Sequence, residues 1–373
     1  MSDIVNFVNA KIQKNRQLLS FLGNHRCFPL WFVEKNAEYL RKLLCKTIRF
    51  FVLSNRLNPS SMKFAVIDLG TNGFRLYIAE SLQHGQFHII HRQTSELKLA
   101  SEGIHHIGEA PFKRGLDAMI SFSKTLQYFD IQHIRAFGTA ALRLADNGQV
   151  FIDAVKNETG IMIELISGER EAELIHKGMT LGVPLSKTPV LMVDVGGGSV
   201  EFIICNQTEV FWAKSYNVGV AILKQRFHIG DIILDAEIKE IEQFLTDTCT
   251  ELRKKVAVFK PKYPIIACGT LDFLVKILLR NEIPITSGRG SSEMPLNYDF
   301  LKQQFSIFYE QLTFLSEKEL YAMPEVPQEK VEMLAVSMVL MNWILTPLLN
   351  AKKLVASGQS MKAGILYEMS FEE

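Results

Sequence analysis

Two aspartates, Asp68 and Asp194, each stand near the end of an apolar β run and directly ahead of a glycine-rich turn. The turns are IDLGTNG at Ile67–Gly73 and VDVGGGS at Val193–Ser199. A strand that ends in Asp-x-Gly delivers a carboxylate and free backbone N–H groups to one point, which suits a metal-bound phosphate. The two aspartates lie 126 positions apart, so the pattern predicts two lobes closing on one phosphate chain. In Gly70, Thr71 and Asn72, and again in Gly196, Gly197, Gly198 and Ser199, missing Cβ atoms let N–H groups approach phosphate oxygens. Thr71, Asn72 and Ser199 add side-chain donors. Asp68 and Asp194 would then hold Mg²⁺, directly or through water, because a hard cation prefers carboxylate oxygens plus substrate phosphate. Tight hairpin turns with capping aspartates are the plainer alternative, and the matched pair weighs against it.

Other residues fit the same chemistry. FGTAALR (Phe137–Arg143) puts Thr139 where a helix N-cap belongs and Arg143 one turn in, so a helix N-terminus and a guanidinium could meet one anion. A lone surface arginine is the commoner fate. ISGEREAEL opens a helix with Glu169, Glu171 and Glu173, of which at least two are expected to be dipole-favoured surface residues. Glu201, just after GGGSV, is either a site acid or part of a solvated face. In IIACGT (Ile265–Thr270), Gly269 and Thr270 are either a nucleotide or chain contact or a core strand with a helix cap. The nine histidines form no metal-ligand spacing, and His105-His106 reads as a solvated loop pair.

These residues need an alternating scaffold to position them. Three β runs in quick succession, Phe64–Gly70, Phe74–Glu80 and Phe87–Gln93, suggest an antiparallel meander. A helix near Phe112–Phe129, a strand at His133–Phe137 and a helix from Thr139 follow. After Pro184 the order recurs at Val190–Gly198, Ser199–Asn206 and Thr208–Tyr216. The expectation is an internal duplication of strand, glycine turn, strand, strand.

The chain has 373 residues, 47% hydrophobic and 22% charged, which is ample for a packed core and too long for one typical domain. Its net charge of +1 hides an asymmetry: residues 1–61 carry ten Lys/Arg against three acids, leaving the remainder at −6. A mildly acidic body argues against a nucleic-acid surface. Residues 1–61 read as a basic amphipathic helical extension, around Val33, Ala37, Leu40, Leu44, Ile48 and Phe51. An accessory segment, a membrane-surface helix and translated sequence ahead of a start at Met62 compete, and the compact opening MKFAVIDLG favours the last. Five scattered cysteines without CxxC spacing fit reduced thiols in a cytoplasm and give no zinc site. Met333–Ala351 is 19 residues without a charge, but Ser337, Asn342, Thr346, Pro347 and Asn350 interrupt it, so it reads as a buried core helix. No secretory signal is visible.

Five motifs in order, IDLGTNGFRL, FGTAALR, ISGEREAELIHKG, VDVGGGSVEF and SMKAGILYE (Ser360–Glu368), resemble the exopolyphosphatase / guanosine pentaphosphate phosphohydrolase family. That family belongs to the sugar kinase, heat-shock chaperone and actin-like superfamily. The resemblance covers Met62 to about Glu368. It implies an α/β fold of two ribonuclease-H-like domains with mixed sheets flanked by helices and an interdomain cleft. Domain I would span 62–182, with a C-terminal helix (358–373) returning to it, and domain II 183–357. The implied activity is Mg²⁺-dependent release of terminal orthophosphate from polyphosphate or guanosine pentaphosphate. Glu171 would be the catalytic base, Arg143 a substrate-phosphate ligand, Glu201 the second acid and Lys362 a phosphate ligand.

Departures from the family pattern qualify that picture. Gly73 stands where a hydroxyl residue is usual, Lys330 and Glu332 where Arg and Asp are common, and Lys362 where Arg is common. A lysine keeps the charge and loses the bidentate fork. The chain stops shortly after LYE, so the resemblance implies a short two-domain form. A small-molecule kinase of the superfamily and a non-catalytic nucleotide-binding regulator are the rival readings. The expected partners are the phosphate substrate alone, with no nucleic acid and no membrane, and a homodimer is left open.

Overall fold

The computed structural model describes residues 62–81, 87–228, 230–280, 286–287 and 297–371. The basic extension expected at 1–61 lies outside them.

Strands β1 (Lys63–Leu69), β2 (Gly73–Ser81) and β3 (Phe87–Glu96) form the expected antiparallel meander, followed by β4 (His133–Gly138) and β5 (Ile163–Leu165). They make one sheet of order β3-β2-β1-β4-β5, in which β4 lies parallel to β1 and β5 parallel to β4. The second sheet uses β6 (Val190–Val195), β7 (Val200–Cys205), β8 (Val210–Tyr216), β9 (Pro264–Ala267), β10 (Thr286–Ser287), β11 (Asn297–Leu301) and β12 (Lys353–Ser357). Its order is β10-β11-β12-β9-β6-β7-β8. Read from β8, the run β8-β7-β6-β9-β12 repeats the first sheet, with β7 and β8 antiparallel and β9 and β12 parallel to the strand before them. The chain therefore has an α/β fold of two ribonuclease-H-like sheets flanked by helices, the duplication being the one the sequence pattern predicts and the fold the one the family resemblance implies. Both glycine turns sit at the same place in the repeat, between its first and second strands.

Burial explains the strand sequences. The central strands β1 and β7 are buried along almost their whole length and read as near-continuous apolar runs. The edge strand β3 alternates partly buried and exposed positions. Helix Glu109–Tyr128 covers the first sheet with a stripe that includes Gly115, Ala118, Met119, Phe122 and Leu126. A shared core then joins the two sheets: Phe64 and Val66 of β1 pack with Met192 of β6, Ile203 of β7 and the helices Gly168–Gly182 and Met361–Met369.

Helix Val331–Trp343 is buried on nearly every side beyond its first turn, which accounts for its uncharged sequence from Met333 onward. The stretch Gln328–Leu348 is long and apolar enough to cross a membrane by composition, and 67% of its most apolar window is buried inside the protein. A π-helical turn at Ile344–Leu348 carries Pro347.

Candidate active site

Between the two glycine turns lies a cavity of about 450 Å³. Thirteen of the fourteen expected site residues line it: Asp68, Gly70, Thr71, Asn72, Thr139, Glu171, Asp194, Gly196, Gly197, Gly198, Ser199, Glu201 and Lys362. The two turns approach closely. A Cβ on Gly197 would lie 2.9 Å from the Asn72 side chain, and one on Gly198 would lie 2.7 Å from the Thr71 hydroxyl. A side chain at either position would press on the facing turn, so glycine suits this contact between chain segments so distant in sequence.

Arg143 does not line the cavity. Its Nη1 donates to the Ile166 carbonyl at 2.8 Å and to Glu171 Oε2 at 3.2 Å, so it holds the glutamate from behind. The helix it belongs to runs only from Ala140 to Leu144. Its N-cap residue Thr139 makes no side-chain cap, the hydroxyl lying 3.5 Å from the Leu69 carbonyl instead. The helix N-terminus expected to share an anion with Arg143 is thus a single short turn. Thr139 faces the cavity and Arg143 faces Glu171.

Helix Gly168–Gly182 begins at Ser167, whose hydroxyl accepts from the Arg170 N–H at 3.2 Å. Of its three leading acids, Glu169 and Glu173 are exposed and Glu171 is 7% exposed. Burial first, and then the neighbouring Glu201 charge, holds the Glu171 carboxyl well above the usual carboxylate range; Arg143 opposes both. Glu201, on β7 and 2% exposed, is pushed up to about 7 by desolvation and by Asp194. Ser215 of β8 donates to it at 2.7 Å. Two acids, each destabilised as an anion, thus flank the cavity floor.

Asp68 and Asp194 arrive from opposite sheets. Lys362 Nζ lies 3.5 Å from Asp68 Oδ2, and Arg75 Nη1 lies 3.8 Å from the same oxygen. Desolvation raises the Asp194 carboxyl, with a further contribution from Asp68, while the hydroxyl of Ser360 bonds to Asp194 Oδ2 and opposes the rise. Among the described residues no group of three or more His, Cys, Asp or Glu side chains gathers as a ready metal cage. Two carboxylates lining one cavity still fit a hard cation that completes its shell with phosphate oxygens and water. The wider lining points the same way: eight carboxylates against five Lys or Arg side chains face a cavity whose turns are built for anions.

The third glycine turn reaches the cavity through Gly269 and Thr270. The Thr270 hydroxyl bonds Ser337 at 2.8 Å inside the core, and Lys330 Nζ lies over Gly269, where a Cβ would meet it at 2.7 Å. Gly73 also gains a reason: a Cβ there would lie 2.7 Å from the Ser95 carbonyl and 3.1 Å from Glu96 Oε2. The backbone of β3 fills the space that a side chain at 73 would need.

Sequence reasoning missed Arg75, Glu96, Lys98, Asp272, Lys276 and Ser360, all of which line the cavity. Arg75 was the most accessible of these. In the register Asp68 pairs with Arg75, and Arg75 and Tyr77 alternate with the buried Phe74, Leu76 and Ile78. An arginine inside such a strand needs a polar destination.

A sequence model of the Ppx/GppA phosphatase family matches residues 77–373. The guanosine-5'-triphosphate,3'-diphosphate pyrophosphatase of Pseudoalteromonas translucida is 26% identical over 317 residues, covering 84% of this chain and 60% of that one. The protein of the same name from Photobacterium profundum is 29% identical over 234 residues, covering 60% of this chain and 45% of its own. The chain thus spans only about half the length of these relatives. Among solved structures, an exopolyphosphatase from Cytophaga hutchinsonii superposes with a TM-score of 0.76 at 30% identity, covering 83% of this chain and 97% of that one. An Aquifex aeolicus PPX-GPPA enzyme shares the fold at 20% identity and a TM-score of 0.65, covering 82% and 99%.

Proposed function

The chain belongs to the Ppx/GppA phosphatase family, and from that premise we propose that it hydrolyses the terminal phosphoanhydride bond of inorganic polyphosphate or guanosine pentaphosphate. The observation that carries the reading is the convergence of two glycine turns, two aspartates and a buried glutamate on one cavity. A kinase reading lacks comparable support, because the hydroxyl of Thr270 is used inside the core and the side chain of Lys330 covers Gly269.

In this reading the N–H groups of Gly70–Asn72 and Gly197–Ser199 hold the terminal phosphate from two sides, while the Gly196 N–H closes the second turn on the Ser199 carbonyl at 3.0 Å. Phosphoryl transfer depends mainly on positioning and on neutralising charge. Glu171 accepts the proton of the attacking water as the new P–O bond forms and the bond to the bridging oxygen breaks. Orthophosphate leaves, together with a chain shorter by one unit. The raised affinity of Glu171 for a proton suits a base that works near neutral pH. Arg143 keeps its carboxylate aimed and partly compensated. Glu201 supports the same water or the cation beside it.

Asp68 and Asp194 are the residues that would hold Mg²⁺, and that ion would supply the positive charge the acid-rich lining lacks. We take 62–182 with 358–373 as one lobe and 183–357 as the other, closing to exclude bulk water. The substrate class and the buried free thiols of Cys205, Cys249 and Cys268 fit a cytoplasmic enzyme.

The test is orthophosphate release from polyphosphates of several lengths and from guanosine pentaphosphate, with added Mg²⁺ or a chelator. Release that needs the metal and falls about 10²- to 10⁴-fold in Glu171→Gln supports the reading. Release untouched by that substitution, or ADP formation from ATP with a sugar or carboxylic acid as acceptor, overturns it.

A further inference from the structure

We propose that Lys98 contacts the phosphates behind the terminal one in a linear polyphosphate, and that its ion pair with Glu332 sets how strongly longer chains are preferred. The inference rests on the hydrolase reading above.

Lys98 follows β3, on the rim of the phosphate cavity, and Glu332 begins helix Val331–Trp343, which packs with the second sheet. Their side chains meet at 2.5 Å across 234 positions of sequence, and both line the cavity. The pair therefore bridges the two halves where the cavity lining is open to solvent, with the Lys98 side chain 53% exposed.

The backbone of Lys98 is fixed while its side chain is free to change partner. Leu97 N–H and Lys98 N–H both donate to the Asn72 carbonyl, at 2.9 and 3.0 Å, and Leu99 N–H donates to the Thr71 carbonyl at 2.9 Å. The segment is thus bonded directly to the first phosphate turn. Arg114 Nη2 holds the Leu97 carbonyl at 2.9 Å from the other side. Lys98 adopts φ 48°, the left-handed region that favours glycine. A lysine kept in that conformation, on a segment tied to a phosphate turn, is a strained residue at a binding surface.

The ion pair itself is half-exposed, with side-chain exposures of 53% for Lys98 and 32% for Glu332. Such pairs are weak, and a phosphate oxygen offers the ammonium at least as much charge. Glu332 is held below the usual carboxylate range chiefly by Lys98, and Lys224 contributes as well. Lys224 is paired with Glu317 at 3.1 Å yet still acts on Glu332, so Glu332 keeps a cation nearby when Lys98 turns to the substrate. Glu332 thus acts as a counter-ion that competes with a passing chain for Lys98.

The experiment compares kcat/KM for tripolyphosphate and for a long-chain polyphosphate in the full chain and in Lys98→Gly, Lys98→Arg and Glu332→Gln. Glycine suits the left-handed backbone, so Lys98→Gly removes the side chain without disturbing the segment. The expected result is a fall of about tenfold in the long-to-short ratio, the size of one charge-assisted contact. Lys98→Arg retains the ratio, and Glu332→Gln raises it. An unchanged ratio in Lys98→Gly overturns the proposal. So does a ratio lowered by Glu332→Gln, which would make the pair a simple brace. A loss in Lys98→Gly confined to guanosine pentaphosphate, tested alongside, also overturns it by placing a nucleoside behind Lys98. If the wild-type chain turns over no oligophosphate, the hydrolase reading fails. Calorimetric binding of the same two polyphosphates then decides the role of Lys98, and binding of neither overturns both.

Discussion

Arg143 lies behind Glu171, with its Nη1 shared between the Glu171 carboxylate at 3.2 Å and the Ile166 carbonyl at 2.8 Å. The guanidinium lowers a carboxyl pKa that burial and Glu201 raise. Replacing Arg143 by Met removes that compensation, so Glu171 binds its proton still more tightly. The acid limb of the pH–rate profile is expected to move to higher pH in Arg143→Met, with kcat falling more than KM rises. A profile that keeps its acid limb while KM alone rises would make Arg143 a substrate contact instead.

Glu201 gives a second pH effect, on stability. Its folded pKa of about 7 exceeds the unfolded value, chiefly through desolvation and then through Asp194. The folded state therefore binds the proton more tightly. The contribution is fully present below about pH 4.5 and is lost as pH rises through about 7. Glu201→Gln cannot ionise and still offers an oxygen to Ser215. Its melting temperature is expected to fall less between pH 5 and pH 8 than that of the wild type, corresponding to roughly 1–3 kcal/mol. Parallel melting curves for the two proteins over that range would contradict the assignment.

Much of this site was legible in the sequence because its parts are local. Asp68 and Asp194 end strands, glycines follow them, and the near-continuous apolar runs ahead of them mark where those strands lie. Glu171 stood out from Glu169 and Glu173 only by resemblance, since the helical spacing alone did not say which of the three turns inward. The rest depends on contacts that a linear reading cannot see. Lys98 and Glu332 meet across 234 positions, and Gly73 is a glycine because the backbone at Ser95 crosses there. Arg143 likewise finds its partners far along the chain, in Glu171 and the Ile166 carbonyl.

Metal dependence should separate the two aspartates from the acids around them. Asp194→Asn removes one of the two carboxylates that fit a hard cation, so half-maximal activity is expected to need at least about tenfold more Mg²⁺. The same change removes a carboxyl that desolvation already disfavours as an anion. The variant should therefore melt no lower than the wild type. A large loss of stability with an unchanged Mg²⁺ requirement would mark Asp194 as a structural residue.

Gly73→Ser restores the hydroxyl that the family pattern leads one to expect. Its Cβ would lie 2.7 Å from the Ser95 carbonyl, which belongs to a backbone strand and cannot move as a side chain can. The substitution is expected to destabilise the protein by about 1–3 kcal/mol and to leave KM for tripolyphosphate no lower. Denaturant titration together with KM checks both parts. A stable variant with a lowered KM would show that the missing donor is a functional loss.

The C-terminal helix Met361–Met369 carries Lys362 toward Asp68, and Ser360 at its N-cap bonds Asp194. It can do so because its Gly364 crosses helix Gly168–Gly182 at Gly178, where the two backbones touch. A Cβ on Gly364 would collide with the Leu174 carbonyl, and one on Gly178 with the Ser360 carbonyl. Glu368 then locks the crossing by pairing with Arg170 and with Lys177, the latter at 2.7 Å. One helix pair thus positions Glu171, Lys362 and Ser360 together. Gly364→Ala should force the helices apart, costing about 1–3 kcal/mol, and should lower kcat at temperatures where the variant is still folded. Glu368→Gln weakens the partly buried ion pairs but keeps a side chain that can still accept from Arg170 and Lys177, and it leaves the crossing intact, so its effect on stability should be smaller than that of Gly364→Ala. Activity preserved in folded Gly364→Ala would show that the site tolerates a displaced C-terminal helix, and that Lys362 reaches Asp68 without this close contact.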